Sequence, residues 1–248
     1  MASDEIVDNL IRELGDAHKT VQRRAIDELV AMAGSDNPVV VEKLHESIGS
    51  EDRRVRWAAA YALGQISATA LSMEAAEVLC EAMADDDVDI RWAATNLMVQ
   101  LGRENPAEIG ARLLRLAAGG DHNARKMALY SIRDLEIAGA ELLAVLDGAA
   151  CDSDVHVRLA ALSVLSRIRD ASGEAVRIML ERMKSDSDAG VRRAAASALG
   201  NIQAASADAL SALTFAAADS ADESLARAAR GALDRLEKIR LEKHHLEK

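Results

Sequence analysis

Aromatic residues, proline, cysteine and long apolar stretches are all scarce in this sequence. Only 2% of its 248 residues are Phe, Trp or Tyr, although half of the residues are apolar. A core must therefore be built from Ala, Leu, Val and Ile. With just two prolines in the chain, this composition favours closely packed helices over a sheet-based fold.

The other shortages exclude several classes of protein. Two cysteines, Cys80 and Cys151, are too few for a disulfide framework, so we expect a reducing, cytoplasmic location. No apolar run approaches the roughly 18 residues of a membrane span, and the N-terminus MASDEIVDNL is acidic where a secretion signal would be basic. Positive charge is also in deficit, because the net charge is −11. That balance disfavours binding to nucleic acid.

What the sequence does contain is an internal repeat. Segments that resemble VRWAAAYALGQI recur along the chain, among them IRWAATNLMVQL, VRLAALSVLSRI and VRRAAASALGNI. The copies begin at Val21, Val55, Ile90, Ala124, Val157, Val191 and Leu225, so that successive starts are 33 to 35 residues apart. A regular period of this length indicates stacked repeats.

Each repeat has the pattern of a helical hairpin. If the first residue of a segment is position 0, then positions 0, +4, +8 and +11 are almost always apolar and lie within about 80° on a helical wheel. A second helical segment lies between copies, and Pro38 and Pro106 each fall in the first turn of such a segment, where proline is tolerated. One hairpin cannot bury its own apolar face, so neighbouring hairpins must stack.

Charged residues recur at fixed positions in the hairpin loops. Six copies have Asp at position −3, where its side chain can cap the following helix: Asp52, Asp87, Asp121, Asp154, Asp188 and Asp222. The first copy has His18 there instead. Five copies have Arg at position +1: Arg56, Arg91, Arg125, Arg158 and Arg192. In three of these, a further Asp precedes the Arg by six residues: Asp85, Asp152 and Asp186.

Hairpins with this Asp and Arg pattern, and with a small-residue helix that ends Leu-Gly-x-Ile, resemble HEAT repeats. More narrowly, they resemble the short type named after phycobilisome (PBS) lyases, over roughly residues 15–236. The resemblance implies an all-α fold, a right-handed α-solenoid of about seven HEAT-like hairpins that occupies residues 1–240 as one domain. It also implies that second helices line a concave side, and that a structural ladder joins adjacent repeats through Arg56, Asp85, Arg91, Arg125, Asp152, Arg158, Asp186 and Arg192. The end copies, with Gln22 and Ala226 at the Arg position, fit capping repeats.

The aromatic residues occupy the face of the second helices opposite to the packing face. Trp57 and Trp92 stand at position +2, and Tyr61 and Tyr130 at position +6, which the family resemblance places on the concave wall. We expect one continuous patch that binds a peptide or protein segment, because amphipathic rings are typical of binding hot spots. Nearby polar contacts are predicted from Gln65, Asn96, Gln100, Lys126 and Arg133. The alternative for each Trp is that it leans over the next helix and seals the stack.

Catalytic and metal-binding patterns are missing from the sequence. The acidic run from Asp85 to Asp89 lacks the glycine and the distal glutamate of an EF-hand, and helix capping explains it better. HEAT-like iron hydroxylases carry several His-Glu pairs, whereas here there is one, His45-Glu46. No Ser-His-Asp set, glycine-rich phosphate loop or Cys-x-x-Cys pair occurs. We therefore predict a monomeric, non-enzymatic scaffold without cofactor or metal. A bilin lyase-type or other enzyme-accessory HEAT subunit is the alternative, and a HEAT-like DNA glycosylase is less favoured because the net charge opposes DNA binding.

The C-terminal sequence LEKIRLEKHHLEK leaves two interpretations open. It repeats Leu-Glu-Lys three times from Leu236. Residues 241–248 either continue the last helix or form an artificial tail, so no function is assigned to them.

Overall fold

The computed structural model describes residues 2–34, 37–168, 173–202 and 206–246. Across those residues the chain forms fourteen α-helices and one short 3-10 helix at Ala68–Ala70, with no β-strand. The helices are α1 (Ala2–Glu13), α2 (Lys19–Ala33), α3 (Pro38–Ile48), α4 (Arg53–Ile66), α5 (Ala75–Ala82), α6 (Val88–Glu104), α7 (Pro106–Gly119), α8 (His122–Asp134), α9 (Ala140–Ala150), α10 (Val155–Leu165), α11 (Gly173–Ser185), α12 (Ala189–Leu199), α13 (Ala207–Ala218) and α14 (Glu223–Leu246). Each predicted repeat segment begins in an even-numbered helix, which confirms the helical-hairpin pattern.

The starts of these helices follow from the residues that precede them. The Asp at position −3 accepts a hydrogen bond from a backbone N–H of the first turn in six second helices, at Asp52, Asp87, Asp121, Asp154, Asp188 and Asp222. Each such cap stabilises its helix by roughly 1 kcal/mol. His18 makes no side-chain cap before α2. Helices α3 and α7 begin at Pro38 and Pro106, as predicted.

The chain divides into two compact units, residues 1–112 and 113–248. In the first unit, α1 packs on α2, α3 on α4 and α5 on α6, while the second helices contact one another in the order α2, α4, α6. Its core consists of aliphatic side chains that are fully buried, including Leu29, Leu63, Leu79 and Met98. This unit is therefore a stack of hairpins, in agreement with the predicted α-solenoid.

The second unit repeats the arrangement. Here α9 packs on α10, α11 on α12 and α13 on α14, and the second helices contact one another in the order α8, α10, α12, α14. Small residues permit close contact: a Cβ added to Gly200, which directly follows α12, would lie 2.6 Å from the Cα of Ala232 in α14. The boundary between the units falls within α7, between Arg112 and Leu113. One continuous solenoid over residues 1–240 stays a prediction.

The last helix is longer than its counterparts. α14 continues through Leu246, so residues 241–246 extend it, as one of the two interpretations of the C-terminal sequence requires. Residues 247 and 248 of the predicted tail lie outside the described residues.

Candidate functional site

Three of the predicted partner-binding residues lie in line on α4. Trp57, Tyr61 and Gln65 are spaced four residues apart, and side chains at that spacing share one face of a helix. The ring centroids of Trp57 and Tyr61 are 5.5 Å apart with the planes inclined at 38°. Both rings are half-buried, whereas Gln65 is exposed. This aromatic contact holds the two rings in a defined geometry.

Helix α6 presents a second row with the same spacing. Trp92 is 45% exposed, Asn96 is exposed and Gln100 is half-buried. Helices α4 and α6 contact each other within the first unit. We call the two rows together the α4–α6 face, and its residues are Trp57, Tyr61, Gln65, Trp92, Asn96 and Gln100. It combines three large rings with three side-chain amides.

Several polar groups on the α4–α6 face are available to a partner. Among the described residues, the Tyr61 hydroxyl and the amides of Gln65 and Asn96 form no hydrogen bond within the chain. Each amide can both donate and accept a hydrogen bond, and the phenol can do the same. These groups can therefore bond to a partner without first breaking an intramolecular bond.

The environment of Trp57 differs from the sequence prediction. Position +2 was expected to face directly away from the packing face, but Trp57 is half-buried. Trp57 lines a cavity whose wall also includes Val78 and Ala82 of α5 and Ile90 of α6. Trp92, which is exposed, is the more accessible of the two indoles.

That cavity, which we call the Trp57 pocket, is a feature that sequence reasoning missed. It has a volume of about 440 Å³. Its lining residues come from the loops and adjacent helix ends of the first three hairpins: Asp16, Ala17, Lys19, Gln22, Asp52, Arg53, Arg54, Trp57, Val78, Glu81, Ala82, Asp85 and Ile90. No local motif signals it, because the pocket depends on how closely the three loops approach one another.

Opposite charges pair around the Trp57 pocket. The ammonium of Lys19 contacts the carboxylate of Asp87. Their hydrogen bond raises the pKa of Lys19 and is the main cause that lowers the pKa of Asp87. Arg53 lies 3.1 Å from the carboxylate of Asp85. The pocket is thus bordered by charges that already have partners.

Three more of the predicted partner-binding residues, Lys126, Tyr130 and Arg133, belong to α8 in the second unit. Cζ of Arg133 is 5.1 Å from the ring centroid of Tyr130, which is a cation–π distance. Nε of Arg133 also lies 2.8 Å from the carboxylate of Asp134, and Nζ of Lys126 donates to Oδ1 of Asn123 at 3.1 Å. Lys126, Tyr130 and Arg133 are all half-buried. We call these three residues the α8 cluster.

The repeated arginines of the second unit join neighbouring hairpins. Arg125 donates two hydrogen bonds to the carboxylate of Asp152, at 2.7 and 2.9 Å. Arg158 donates two to Asp186, both at 3.0 Å. Each arginine also binds its own loop, as Arg158 does through the carbonyl of Asp152 at 2.9 Å. One guanidinium therefore fixes a loop and links it to the next hairpin.

The other repeated arginines donate hydrogen bonds to groups other than the Asp side chains that the motif predicts. Arg192 donates to the helix-capping Asp222 at 2.9 Å, and Arg56 donates to Glu81 at 2.7 Å. Arg91 donates to the backbone carbonyls of Asp85 and Asp86, at 2.6 and 2.9 Å. The loop-binding role is common to all these arginines, whereas the acidic partner varies.

The described residues hold no group of three or more His, Cys, Asp or Glu side chains placed to bind a metal ion. In the same part of the chain, no helix combines the length and the apolar character needed to cross a membrane.

Comparison with known proteins identifies the repeat. A model of HEAT repeats matches residues 7–98, and a model of the PBS lyase HEAT-like repeat matches residues 191–219. A search of curated proteins found no match.

Solved structures agree on the fold. The archaeal HEAT-like repeats protein from Thermococcus onnurineus NA1 is 13% identical, with a TM-score of 0.56 over 94% of this chain and 97% of that one. YIBA_ECOLI is 17% identical, with a TM-score of 0.56 over 93% and 92%. Kap95p, in a structure that describes its binding to RanGDP, is 14% identical, with a TM-score of 0.59 over 94% of this chain and 35% of its own. The chain therefore carries HEAT repeats over residues 7–98 and a repeat of the PBS lyase HEAT-like type over residues 191–219.

Proposed function

We propose that this protein is a non-enzymatic scaffold that binds a peptide or protein segment on the α4–α6 face. The observation that carries the proposal is the placement of three of the four Trp and Tyr residues, Trp57, Tyr61 and Trp92, on two helices that contact each other. Rings that remain partly in water gain free energy when a partner covers them. Trp and Tyr are accordingly enriched among the residues that dominate binding energy.

The polar groups of the face suit a polypeptide partner. Amides such as Gln65 and Asn96 can bond to the backbone N–H and C=O groups of a bound segment, which any sequence offers. The rings supply apolar contact, and the amides then fix the position of the segment. Because both amides are exposed, a hydrogen bond to the partner replaces a hydrogen bond to water and adds little free energy of binding. The rings are therefore expected to supply most of the affinity.

The α8 cluster is proposed as a contact site of its own within the second unit. Tyr130 offers a ring, and Lys126 and Arg133 offer positive charge in a chain whose net charge is −11. A partner segment with some negative charge would suit this cluster. The similar fold of Kap95p, which binds RanGDP, supports the idea that such a hairpin stack can hold a protein partner.

The experiment that tests the proposal is selection of peptides from a random displayed library on the immobilised wild-type protein. Affinities of the selected peptides are then measured for wild type and for Trp92→Ala. We expect a loss of about thirtyfold, which corresponds to a hot-spot contribution of roughly 2 kcal/mol. Because Trp92 is 45% exposed, its substitution should lower the free energy of unfolding by less than about 1 kcal/mol.

Phe215→Ala is the matched control for this experiment. Phe215 lies on α13 and is 80% exposed, so its removal deletes a surface ring that does not belong to the α4–α6 face. Peptide affinities that do not change in Trp92→Ala, or that fall equally in Phe215→Ala, would contradict the proposed site.

An enzymatic role makes a different prediction. Stoichiometric iron or zinc in protein purified without chelators, or turnover of a bilin adduct by the isolated chain, would overturn the scaffold proposal. Metal analysis and a bilin-transfer assay therefore complement the binding experiment.

A further inference from the structure

We infer that the Trp57 pocket is the anchor site of the α4–α6 face and that it accepts an uncharged, apolar side chain of the bound segment. This inference rests on the proposed function and adds to it the chemistry of the partner. Trp57 belongs both to the lining of the pocket and to the α4–α6 face. One bound segment can therefore contact both.

Part of the wall of the pocket is apolar, since five of the thirteen lining residues carry apolar side chains. Val78 and Ala82 belong to the buried core, with 5% and 3% of their surface exposed, yet they line the cavity. Trp57 and Ile90 complete the apolar wall as half-buried side chains. The volume of about 440 Å³ falls at the lower end of the range of ligand sites, roughly 300–1,000 Å³. It offers space for one or two side chains of a peptide.

The charges around the pocket favour an uncharged occupant. Lys19 is paired with Asp87 and Arg53 with Asp85, and the lining residue Glu81 lies 2.7 Å from Arg56. The carboxylate of Asp16 accepts hydrogen bonds from the backbone and ring nitrogens of His18. A charged side chain that entered would lose its hydration and find these opposite charges already engaged.

Two further charges on the lining are those of Arg54 and Asp52, which are both exposed, and the carboxylate of Asp52 accepts the backbone N–H of Arg54. The lining therefore carries four carboxylates and three cations, and this excess of one negative charge disfavours an anion. A cation would find that all four carboxylates already have a hydrogen-bond or ion-pair partner in the chain. The complementary partner is therefore a neutral apolar group, such as the side chain of Leu, Met or Phe.

This assignment predicts that binding depends weakly on salt. Affinity that comes from apolar burial is not screened by ions, whereas attraction between exposed charges is. Affinities of the selected peptides should change less than about threefold between 50 mM and 500 mM NaCl.

The decisive variant fills the pocket instead of removing a wall. Ala17 is exposed and lines the cavity, so Ala17→Phe places a ring in it without deleting a core contact. Ala221→Phe is the matched control, because Ala221 is exposed and occupies the same repeat position in the seventh hairpin. Peptides selected on wild type should bind Ala17→Phe about thirtyfold more weakly and Ala221→Phe with unchanged affinity.

The selected sequences supply an independent test. We expect them to share an apolar residue, and replacement of that residue by Asp or Lys should abolish binding. A shared acidic or basic residue, together with a strong salt dependence, would overturn the inference.

The outcomes separate this inference from the proposed function. Peptides that lose affinity in Trp92→Ala but not in Ala17→Phe would preserve the binding face and reject the anchor pocket. Selection of no peptide, or of peptides insensitive to both variants, would reject both. Thermal melts check that each variant is folded; if Ala17→Phe does not fold, the smaller filler Ala17→Met replaces it with the same expected direction.

Discussion

Some side chains in this molecule form several hydrogen bonds at once, and Asp186 is an example. Its carboxylate accepts two hydrogen bonds from Arg158 and one from the backbone N–H of Asp188. The side chain of Asp186 is 2% exposed, and that of Arg158 is 11% exposed. A buried ion pair contributes little net stability, but removal of one partner leaves a buried charge without compensation.

Asp186→Ala should therefore lower the free energy of unfolding by about 3–5 kcal/mol. Asp147→Ala is the control, since Asp147 and its partner Arg177 are 44% and 45% exposed, and an exposed pair contributes less than about 1 kcal/mol. Urea unfolding followed by circular dichroism measures both. Equal, small losses in the two variants would show that the buried pair has no special role.

The lowered pKa of Asp222 makes the free energy of unfolding depend on pH in the acidic range. Hydrogen bonds from Arg192, from the backbone of Leu225 and from Ser224 lower the pKa of this carboxyl from 3.8 to about 2. A pKa that is lower in the folded state contributes stability that is present above pH 3.8 and is lost as the pH falls toward 2. Asp222→Asn keeps a side chain that can cap α14 but removes the titrating charge.

The difference in stability between wild type and Asp222→Asn should therefore be constant from pH 7 to about pH 4 and should shrink toward pH 2. Urea midpoints across this range measure it. Asp234→Asn, which changes an exposed carboxylate on the same helix, is the matched control. A difference between wild type and Asp222→Asn that does not shrink in acid would contradict the role of this carboxylate.

At the scale of helices, close packing depends on small residues at particular positions. Gly200 follows α12 in an ordinary right-handed conformation, φ −73°. A residue with a side chain could adopt this backbone conformation, so the conformation does not require glycine. Glycine is needed for packing, because an added Cβ would lie 2.6 Å from Cα and 2.8 Å from Cβ of Ala232. Helix α14 would have to move to admit a methyl group there.

Gly200→Ala is expected to destabilise the protein by roughly 1–3 kcal/mol through overpacking, although alanine favours helices more than glycine does. Gly148→Ala in α9 is the control, because a Cβ there has no atom within 4 Å. That substitution should stabilise by about 0.5–1 kcal/mol. Thermal melts distinguish the two signs, and stabilisation by both would show that α14 adapts without strain.

The sequence was sufficient to predict these helices because their signals are local. The spacing of apolar residues places the second helices, and capping residues such as Asp52 and Asp154 place their starts. The acidic partners of the arginines were less predictable. Glu81 and Asp222, as partners of Arg56 and Arg192, depend on how far each guanidinium reaches into the next hairpin, and position in the motif does not fix that distance.

The candidate site was predictable in part. The helical wheel places Trp92 on a surface that the structure exposes, and it places Tyr61 beside Trp57. It could not give the partial burial of Trp57 or the contact between Lys19 and Asp87. The ion pair joins a first-hairpin residue to a third-hairpin residue, and a single hairpin's sequence does not encode that approach.

At the scale of the whole molecule, the division into two compact units raises the question of whether a linker separates them. The boundary between Arg112 and Leu113 lies inside α7, where Ile109, Leu113 and Ala117 are buried. Arg112 also bonds to Glu77 at 2.7 Å. A regular helix with a buried face is a poor protease substrate, whereas an exposed linker is cut readily.

Brief digestion of the native protein with trypsin should therefore spare Arg112 and Arg115. The first cuts should instead follow Lys238 or Arg240, because Leu236 is the last buried hydrophobic residue among the described side chains of α14, and helix ends without buried contacts fray. Intact-mass spectrometry of the fragments identifies the cuts. Ala111→Pro, which disrupts α7, is the positive control and should expose this region. Early cleavage of the wild type after Arg112 or Arg115, with release of two large stable fragments, would show that a linker joins two domains and would contradict the prediction of one continuous solenoid.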